Sequence, residues 1–310
     1  MIGRLKNESG FALILTLVVT ALMVAIVVEM IHQVYVDTSL SRGFRDGQQA
    51  SILAESGATG GAKLLQLGLS GRAYTSLSDR WATPFKIDDE AGSLEITVSE
   101  ESGKIYLNGL VQPNGTEEPF TLAAIRRLGT SLKLQEDVWN AVADWIDSDD
   151  MPRSGGAETS YYRTRKPVFS AGNHRFMTLT ELSLVKGVTP ESLGALRPYL
   201  TIFPDQAGSH LININTAPKE ILIALDAGID DRMAERVLER RRLTPFKTTG
   251  ELSQVSGMEL VATGLIGKIS VKGNLFRITS VAKVKESRRV VEAVVRLSGG
   301  APEFLSWQEY

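Results

Sequence analysis

Residues 1–30 read MIGRLKNESGFALILTLVVTALMVAIVVEM. Arg4 and Lys6 precede an uncharged run from Phe11 to Val28. As a helix rising about 1.5 Å per residue, that run spans roughly 27 Å, close to the hydrocarbon thickness of a bilayer. Cations ahead of such a run favour an N-terminus left in the cytoplasm and a body carried across. A cleaved secretory signal needs small residues after the apolar core. Val27, Val28, Glu29 and Met30 stand there instead, and the small residue, Gly10, precedes the core. The stretch predicts a long helix that anchors the chain. An uncleaved signal anchor reads the same way on these residues alone.

Beyond the apolar run, the pattern stays helical. Ile31, Val34, Leu40, Phe44, Ile52, Leu53, Ala58, Leu64 and Leu65 recur among polar residues up to about Gly68, which predicts an amphipathic helix. Glycines at 43, 47, 57, 60, 61 and 68 are expected to weaken or break it. Trp81 to Val111 reads as strands, with Leu94, Ile96 and Val98 alternating with Glu95 and Thr97. Phe120 to about Lys268 turns helical, with capped starts and Gly/Pro stops. Strands return at 268–271, 276–282 and 290–297, the last two a hairpin around Lys285-Glu286-Ser287. Strand, long helical block, strand predicts an α+β domain with a helical domain inserted in it. An independent C-terminal β-domain is the competing arrangement.

Composition narrows the function. The 310 residues are 43% hydrophobic and 23% charged, so a sizeable core can form. A formal net charge of −2 argues against nucleic acid as the main partner, since phosphate binding needs a concentrated basic face. There are no cysteines, which excludes disulfides and thiolate metal sites.

The most polar constellation is DWIDSDDMPRSGGAETSYY, Asp144 to Tyr162. Asp144, Asp147, Asp149 and Asp150 crowd the end of a predicted helix, where the helix dipole is already negative. A hard cation with oxygen ligands would relieve the repulsion. A solvated acidic loop has the same composition. The spacing of Trp139, Val142, Trp145 and Ile146 predicts core, and Tyr161 and Tyr162 suit core or interface. Catalysis finds little support. These carboxylates share one loop rather than flanking a groove. His32, His174 and His210 are scattered, and the phosphate, nucleophile-elbow and dinucleotide motifs are missing.

Two segments look alike. Met177 to Tyr199 reads as helix, Lys-Gly-Val turn, helix; Leu211 to Leu252 carries Asn215-Thr216-Ala217-Pro218 as a helix start and an Ala227-Gly228-Ile229 turn. Both resemble SAM-like, helix-hairpin-helix units, many of which bind DNA through a Gly-hydrophobic-Gly turn. Here the turns are Gly187-Val188-Thr189 and Gly228-Ile229-Asp230; each lacks the second glycine, and Asp230-Asp231 would repel a phosphate. On these units the alternative function is a helix-hairpin-helix DNA-binding membrane protein of a competence or type IV pilus-like system.

The Gly10-Phe11 junction before a long apolar helix resembles the type IV pilin-like leader. That resemblance implies cleavage after Gly10 by a prepilin peptidase and methylation of Phe11. Most pilins carry glutamate at the fifth residue after the cut; here it is Leu15. The chain is similar in this departure, and in the strings DWID, GGAE, TELSLVKGVTPE, LRPYLT and INTAP, to the K-type minor pseudopilins of type II secretion systems. The likeness runs over nearly the whole chain. It implies a non-enzymatic subunit at the pseudopilus tip, needed for pseudopilus initiation and protein export. Its partners would be the I- and J-type minor pseudopilins and the prepilin peptidase, and its place a single pass through the inner membrane with a periplasmic body. It also implies structural calcium, carried over onto Asp147, Asp149 and Glu158. The expected organisation is a leader over 1–10, a transmembrane helix over 11–30 and a pilin-like first part over 31–112. An α-helical SAM-like insert over 113–268, a pilin-like second part over 269–298 and a tail over 299–310 complete it.

Overall fold

A computed structural model describes residues 8–90, 92–206 and 210–310. The first seven residues of the expected leader, with Arg4 and Lys6, lie outside the described residues. Helix α1 runs unbroken over Glu8–Leu69, 62 residues. Its apolar N-terminal half is exposed throughout, and burial begins at Asp46. The glycines do not break it. Ala50, Ala54, Ala58 and Ala62 form a buried stripe together with Gly57 and Gly61. A Cβ on Gly57 would lie 2.3 Å from Ser280 Oγ and 2.8 Å from a Leu94 methyl; one on Gly61 would lie 3.2 Å from Ile96 Cγ2. The small residues let the helix backbone approach the sheet, and that packing outweighs a helix-propensity cost of about 1 kcal/mol per glycine.

The sheet begins with β1 (Phe85–Asp89) and β2 (Gly92–Glu100). The chain then leaves through β3 (Ile105–Tyr106) into α2 (Pro119–Ser131), α3 (Asp137–Ile146), α4 (Thr159–Tyr162), α5 (Pro190–Leu196) and β4 (Leu200–Thr201). It continues through β5 (Ile212–Asn213), α6 (Lys219–Leu225), α7 (Asp231–Leu243), α8 (Glu259–Gly264) and β6 (Ile269–Ser270). It returns as β7 (Leu275–Val284), β8 (Ser287–Arg296) and β9 (Glu303–Glu309). The antiparallel order is β1-β2-β7-β8-β9, so β2 and β7 are neighbours although the whole helical block separates them in the chain. Leu94 faces Ala282, Ile96 faces Ser280 and Val98 faces Ile278. The hairpin expected near Lys285 is present, with Lys285 at φ 51°. The α+β class holds.

Several boundaries differ from those expected. Residues 303–309 are not a tail but a fifth strand paired with β8. Phe304 and Trp307 stand among polar residues there, a composition that suits a half-buried edge strand. The insert is not purely helical and starts before residue 113, because β3 and β4, and β5 and β6, form two small parallel pairs.

The two halves of the insert repeat one design, though not in the alignment the helix-turn-helix reading suggests. In the first, Asn108 follows β3, donates to the Phe176 carbonyl (2.9 Å) and accepts from the Phe176 amide (2.7 Å). In the second, Asn215 follows β5 and does the same with Phe246, at 2.9 and 2.8 Å. Each amide also reaches the residue after the partner strand, Ile202 or Val271. From the phenylalanine on, FMTLTELSLVKG (176–187) and FKTTGELSQVSG (246–257) share Phe, Thr, Glu, Leu, Ser, Val and Gly at equal offsets. Each of these segments forms a short 3-10 helix rather than the α-helix expected after Met177. Each closes on a glycine with positive φ, 83° at Gly187 and 91° at Gly257. The first copy carries residues 147–175 between α3 and its phenylalanine; the second carries only 244–245 between α7 and its own. The acidic loop is thus an elaboration of one repeat.

The insert sits at the end of the sheet remote from the exposed half of α1. Near the start of α1's buried half, Asp46 pairs with Lys285 at the β7–β8 turn, 3.0 Å. Just past its end, the Arg72 carbonyl accepts from Lys272, which precedes β7, at 2.8 Å.

Candidate metal centre and module joint

Asp144 lies in the last turn of α3 and Asp147 is its C-cap. Their three-residue spacing puts both carboxylates on one side of the helix end. Pro152 and the Gly155-Gly156 pair fold the chain back, so that Glu158, at the start of α4, joins them. Among the described residues, carboxylate oxygens of Asp144, Asp147 and Glu158 lie within 4.8 Å of one another, and all three residues are buried. Gly156 is required here, because a Cβ on it would stand 1.9 Å from Asp144 Oδ2. Asp149 is brought elsewhere: it is exposed and accepts from the Met151 amide at 2.8 Å. The buried cluster thus holds Asp147 and Glu158 of the expected ligand set, with Asp144 rather than Asp149 beside them.

The cage is only partly satisfied. Asp144 accepts from the Ala157 amide at 2.7 Å and from Arg153 Nη1 at 2.8 Å. Arg153 Nη1 also donates to Asp147 Oδ2, while Asp147 Oδ1 and both oxygens of Glu158 have no hydrogen-bond partner. Glu158 is 1% exposed. Burial, with repulsion from Asp144, Asp147, Asp150 and Asp149, pushes its carboxyl up to about 8. Burial raises Asp147 as well, against the pull of Arg153. Orphaned buried oxygens on converging carboxylates are the donor set a hard cation takes. The surrounding side chains hold the loop. Trp145 packs edge-on against Tyr162 at 5.3 Å and is stacked on Phe176 at 6.2 Å, so Trp145 and Tyr162 are core. Tyr161 lies under Arg165 at 4.4 Å.

A second polar cluster joins insert to sheet. Glu100, the last residue of β2, is buried and accepts from Thr75 Oγ1 (2.8 Å), Asn213 Nδ2 (2.6 Å) and Thr216 Oγ1 (2.9 Å). Burial pushes its carboxyl up to about 7. Glu101 next to it is buried too, but Lys104 and Arg277 hold it below its ordinary range. In the segment read as a helix start, Asn215 and Thr216 turn inward instead of capping, and Pro218 occupies the N-cap of α6. Local sequence offers no signal for this, because a buried Asn or Thr and a capping one look the same until the chain folds.

The hairpin turns lie at the surface, with Gly187 and Gly228 exposed, but are tied back onto the protein. A Cβ on Gly187 would lie 2.9 Å from Val138, and Lys186 donates to the Gly155 and Gly156 carbonyls at 2.9 and 3.1 Å. The Gly228 amide is taken by Asp226 at 2.8 Å. At these turns the Lys186 ammonium and the Gly228 amide, which a phosphate would need, are engaged within the protein. At the N-terminal end, Gly10, Phe11 and Leu15 all lie on the exposed apolar part of α1. That helix is long and apolar enough to cross a membrane, and none of its most apolar window is buried.

Two family models match, both described as type II secretion system, protein K, over residues 103–205 and 212–272. They coincide with the two structural repeats. The chain is 28% identical to a type II secretion system protein K of Pseudomonas aeruginosa, over 71% of this chain and 66% of that protein, just under two thirds of its length. It is 27% identical to a protein of the same description from Aeromonas hydrophila, over 96% of this chain and 98% of that one. The fold is similar to a chain in the crystal structure of the GspK-GspI-GspJ complex from enterotoxigenic Escherichia coli. The TM-score is 0.76 at 22% identity, covering 87% of this chain and 99% of that chain.

Proposed function

The chain belongs to the type II secretion system protein K family, whose two models together match more than half of it, and we propose that it is the minor pseudopilin that caps the pseudopilus tip. The observation that carries this is α1. One continuous helix runs from an exposed apolar half into a small-residue stripe docked on the sheet, with the repeats at the far end of that sheet. The apolar half would span the inner membrane and pack beside the helices of I- and J-type minor pseudopilins, where close packing rather than hydrophobicity governs association. The bulk of the insert would block addition of another subunit beyond it. Leu15 fits that position: the glutamate that pilins carry there would pair with the terminal amine of a neighbouring subunit, and a tip subunit with no such neighbour would leave it unpaired in the membrane. The role is assembly rather than catalysis; the buried carboxylates serve as hydrogen-bond acceptors or cation ligands.

The test is the mature N-terminus of protein purified from its native membrane, read by mass spectrometry. A chain beginning with methylated Phe11 is expected, and a Gly10→Val variant is expected to keep Met1 and to lose secretion. An intact Met1 in the wild-type protein, or a cut beyond Val28, would overturn the pseudopilin reading.

We further propose that Asp144, Asp147 and Glu158 hold calcium. The ion would supply the positive charge that three buried carboxylates lack and tie the acidic loop to α3. Calcium at about a hundred times its Kd is expected to stabilise the protein by about 2.7 kcal/mol, an increment that Glu158→Ala removes. In chelator, the raised Glu158 contributes stability that is present at acid pH and lost as pH rises through about 8. Calcium is expected to abolish that loss. Thermal unfolding with calcium or with chelator, across pH 5–9 as a roughly chosen range, reads both effects; identical curves would remove the ion from the account.

A further inference from the structure

We propose that Arg153 sets the charge of the carboxylate cage and thereby its preference for a divalent over a trivalent ion, an inference that rests on the cation reading above. Three ionised carboxylates alone carry three negative charges. Arg153 returns one. Its Nη1 lies 2.8 Å from Asp144 Oδ1 and also bonds Asp147 Oδ2, and its own amide lies 3.2 Å from Asp144. These are not the orphaned atoms. The oxygens left without a partner are Asp147 Oδ1 and both of Glu158. The guanidinium therefore works as a fixed counter-charge that leaves the ion-facing oxygens free. The net charge of carboxylates and arginine is that which one divalent cation neutralises.

The arginine is itself held. Its Nε lies 3.1 Å from Glu117 and its Nη2 is 3.2 Å from the Gly115 carbonyl, both on the turn before α2. A planar fork with several fixed donors can bridge two aspartates and a carbonyl in one geometry, which an ammonium cannot. Lys186, also beside the loop, spends its ammonium on the Gly155 and Gly156 carbonyls. Glu117 sits at the rim, its side chain 29% exposed, and offsets part of the arginine charge. Affinity and selectivity of oxygen cages follow ligand charge and rigidity. Because repulsion from a fixed positive charge grows with the charge of the ion, Arg153 penalises a trivalent ion more than a divalent one.

The experiment measures Kd for Ca²⁺ and for Tb³⁺ by calorimetry on the full chain in detergent. The quantity read is the ratio of the two. Arg153→Gln is expected to raise the preference for Tb³⁺ by about tenfold or more, while Arg153→Lys, which keeps the charge but not the fork, is expected to fall between Arg153→Gln and the wild-type ratio. Glu117→Gln changes only the rim, where folding is not at stake, and is expected to move the ratio the other way by strengthening the arginine's net charge. Equal weakening of both ions in Arg153→Gln and Arg153→Lys, with the ratio unchanged in all three variants, would make Arg153 a structural brace and overturn the proposal. If the wild-type chain binds neither ion, the cation reading itself fails, which is a separate outcome from a bound ion with an unchanged ratio.

Discussion

Replacing Trp139 by alanine is expected to destabilise the first helical repeat by about 3–5 kcal/mol. The ring is 1% exposed and sits on α3 among the buried residues of the insert. It packs on α2 at Gly129, where an added Cβ would lie 2.6 Å from the indole nitrogen. A tryptophan fitted against a glycine leaves a large cavity when truncated, and the backbone of two helices cannot collapse to fill it. The reverse substitution, Gly129→Ala, sets one carbon against the indole and is expected to cost about 1–3 kcal/mol by overpacking. Because α3 also delivers Asp144 and Asp147, Trp139→Ala is expected to weaken the proposed calcium binding as well. Chemical unfolding followed by far-ultraviolet circular dichroism gives the stability change. A loss below about 1 kcal/mol would mean that the two helices are not held together through this contact.

The second large effect is a pH dependence at the joint. Glu100 is buried, accepts from neutral donors, and is pushed from 4.5 up to about 7. The folded state thus binds the proton more tightly than the unfolded chain does. Its contribution to stability is full below about 4.5 and is lost as pH rises through about 7. The size of that loss is about 3 kcal/mol, taking about 1.4 kcal/mol per pKa step. Glu101 opposes the trend only at lower pH, since its partners hold it below the ordinary range. Stability curves of wild type and Glu100→Gln, both with saturating calcium so that Glu158 does not titrate, are expected to diverge over this window, with the variant lacking the fall. The amide also faces a donor it cannot satisfy. Thr75 Oγ1 already accepts from Asn213 and from the Gly273 amide, so a constant offset of about 1–3 kcal/mol against the variant accompanies the change in slope. Parallel curves would mean that Glu100 keeps one protonation state throughout.

Features written in local periodicity are legible along the chain itself. The apolar run after Gly10, the alternation at Leu94, Ile96 and Val98, and the hairpin at Lys285 depend on near neighbours in sequence, and each appears where expected. The carboxylate cage is half legible. Glu158 and Asp147 belong to the expected ligand set, but the third member is Asp144 rather than Asp149. The spacing of Asp144 and Asp147 at a helix end is the available signal, because residues three or four apart share a helix face. The repeat is also written in the sequence, in the shared offsets after Phe176 and Phe246, but helical spacing directs attention to a different pairing.

What the sequence alone determined is most of the elements, their order, the membrane-length helix and the family to which the motifs belong. Tertiary structure alone decided which distant atoms meet. It set β2 beside β7 across the insert, kept α1 continuous by fitting Gly57, Gly61 and the neighbouring alanines to a sheet, and drew Asn213 and Thr216 inward onto Glu100. The reason is energetic. Propensity and capping differ by about 1 kcal/mol between alternatives. Burying an apolar face, or leaving a buried carboxylate unpaired, involves several times as much. Those stronger contributions arise only once remote segments are in contact.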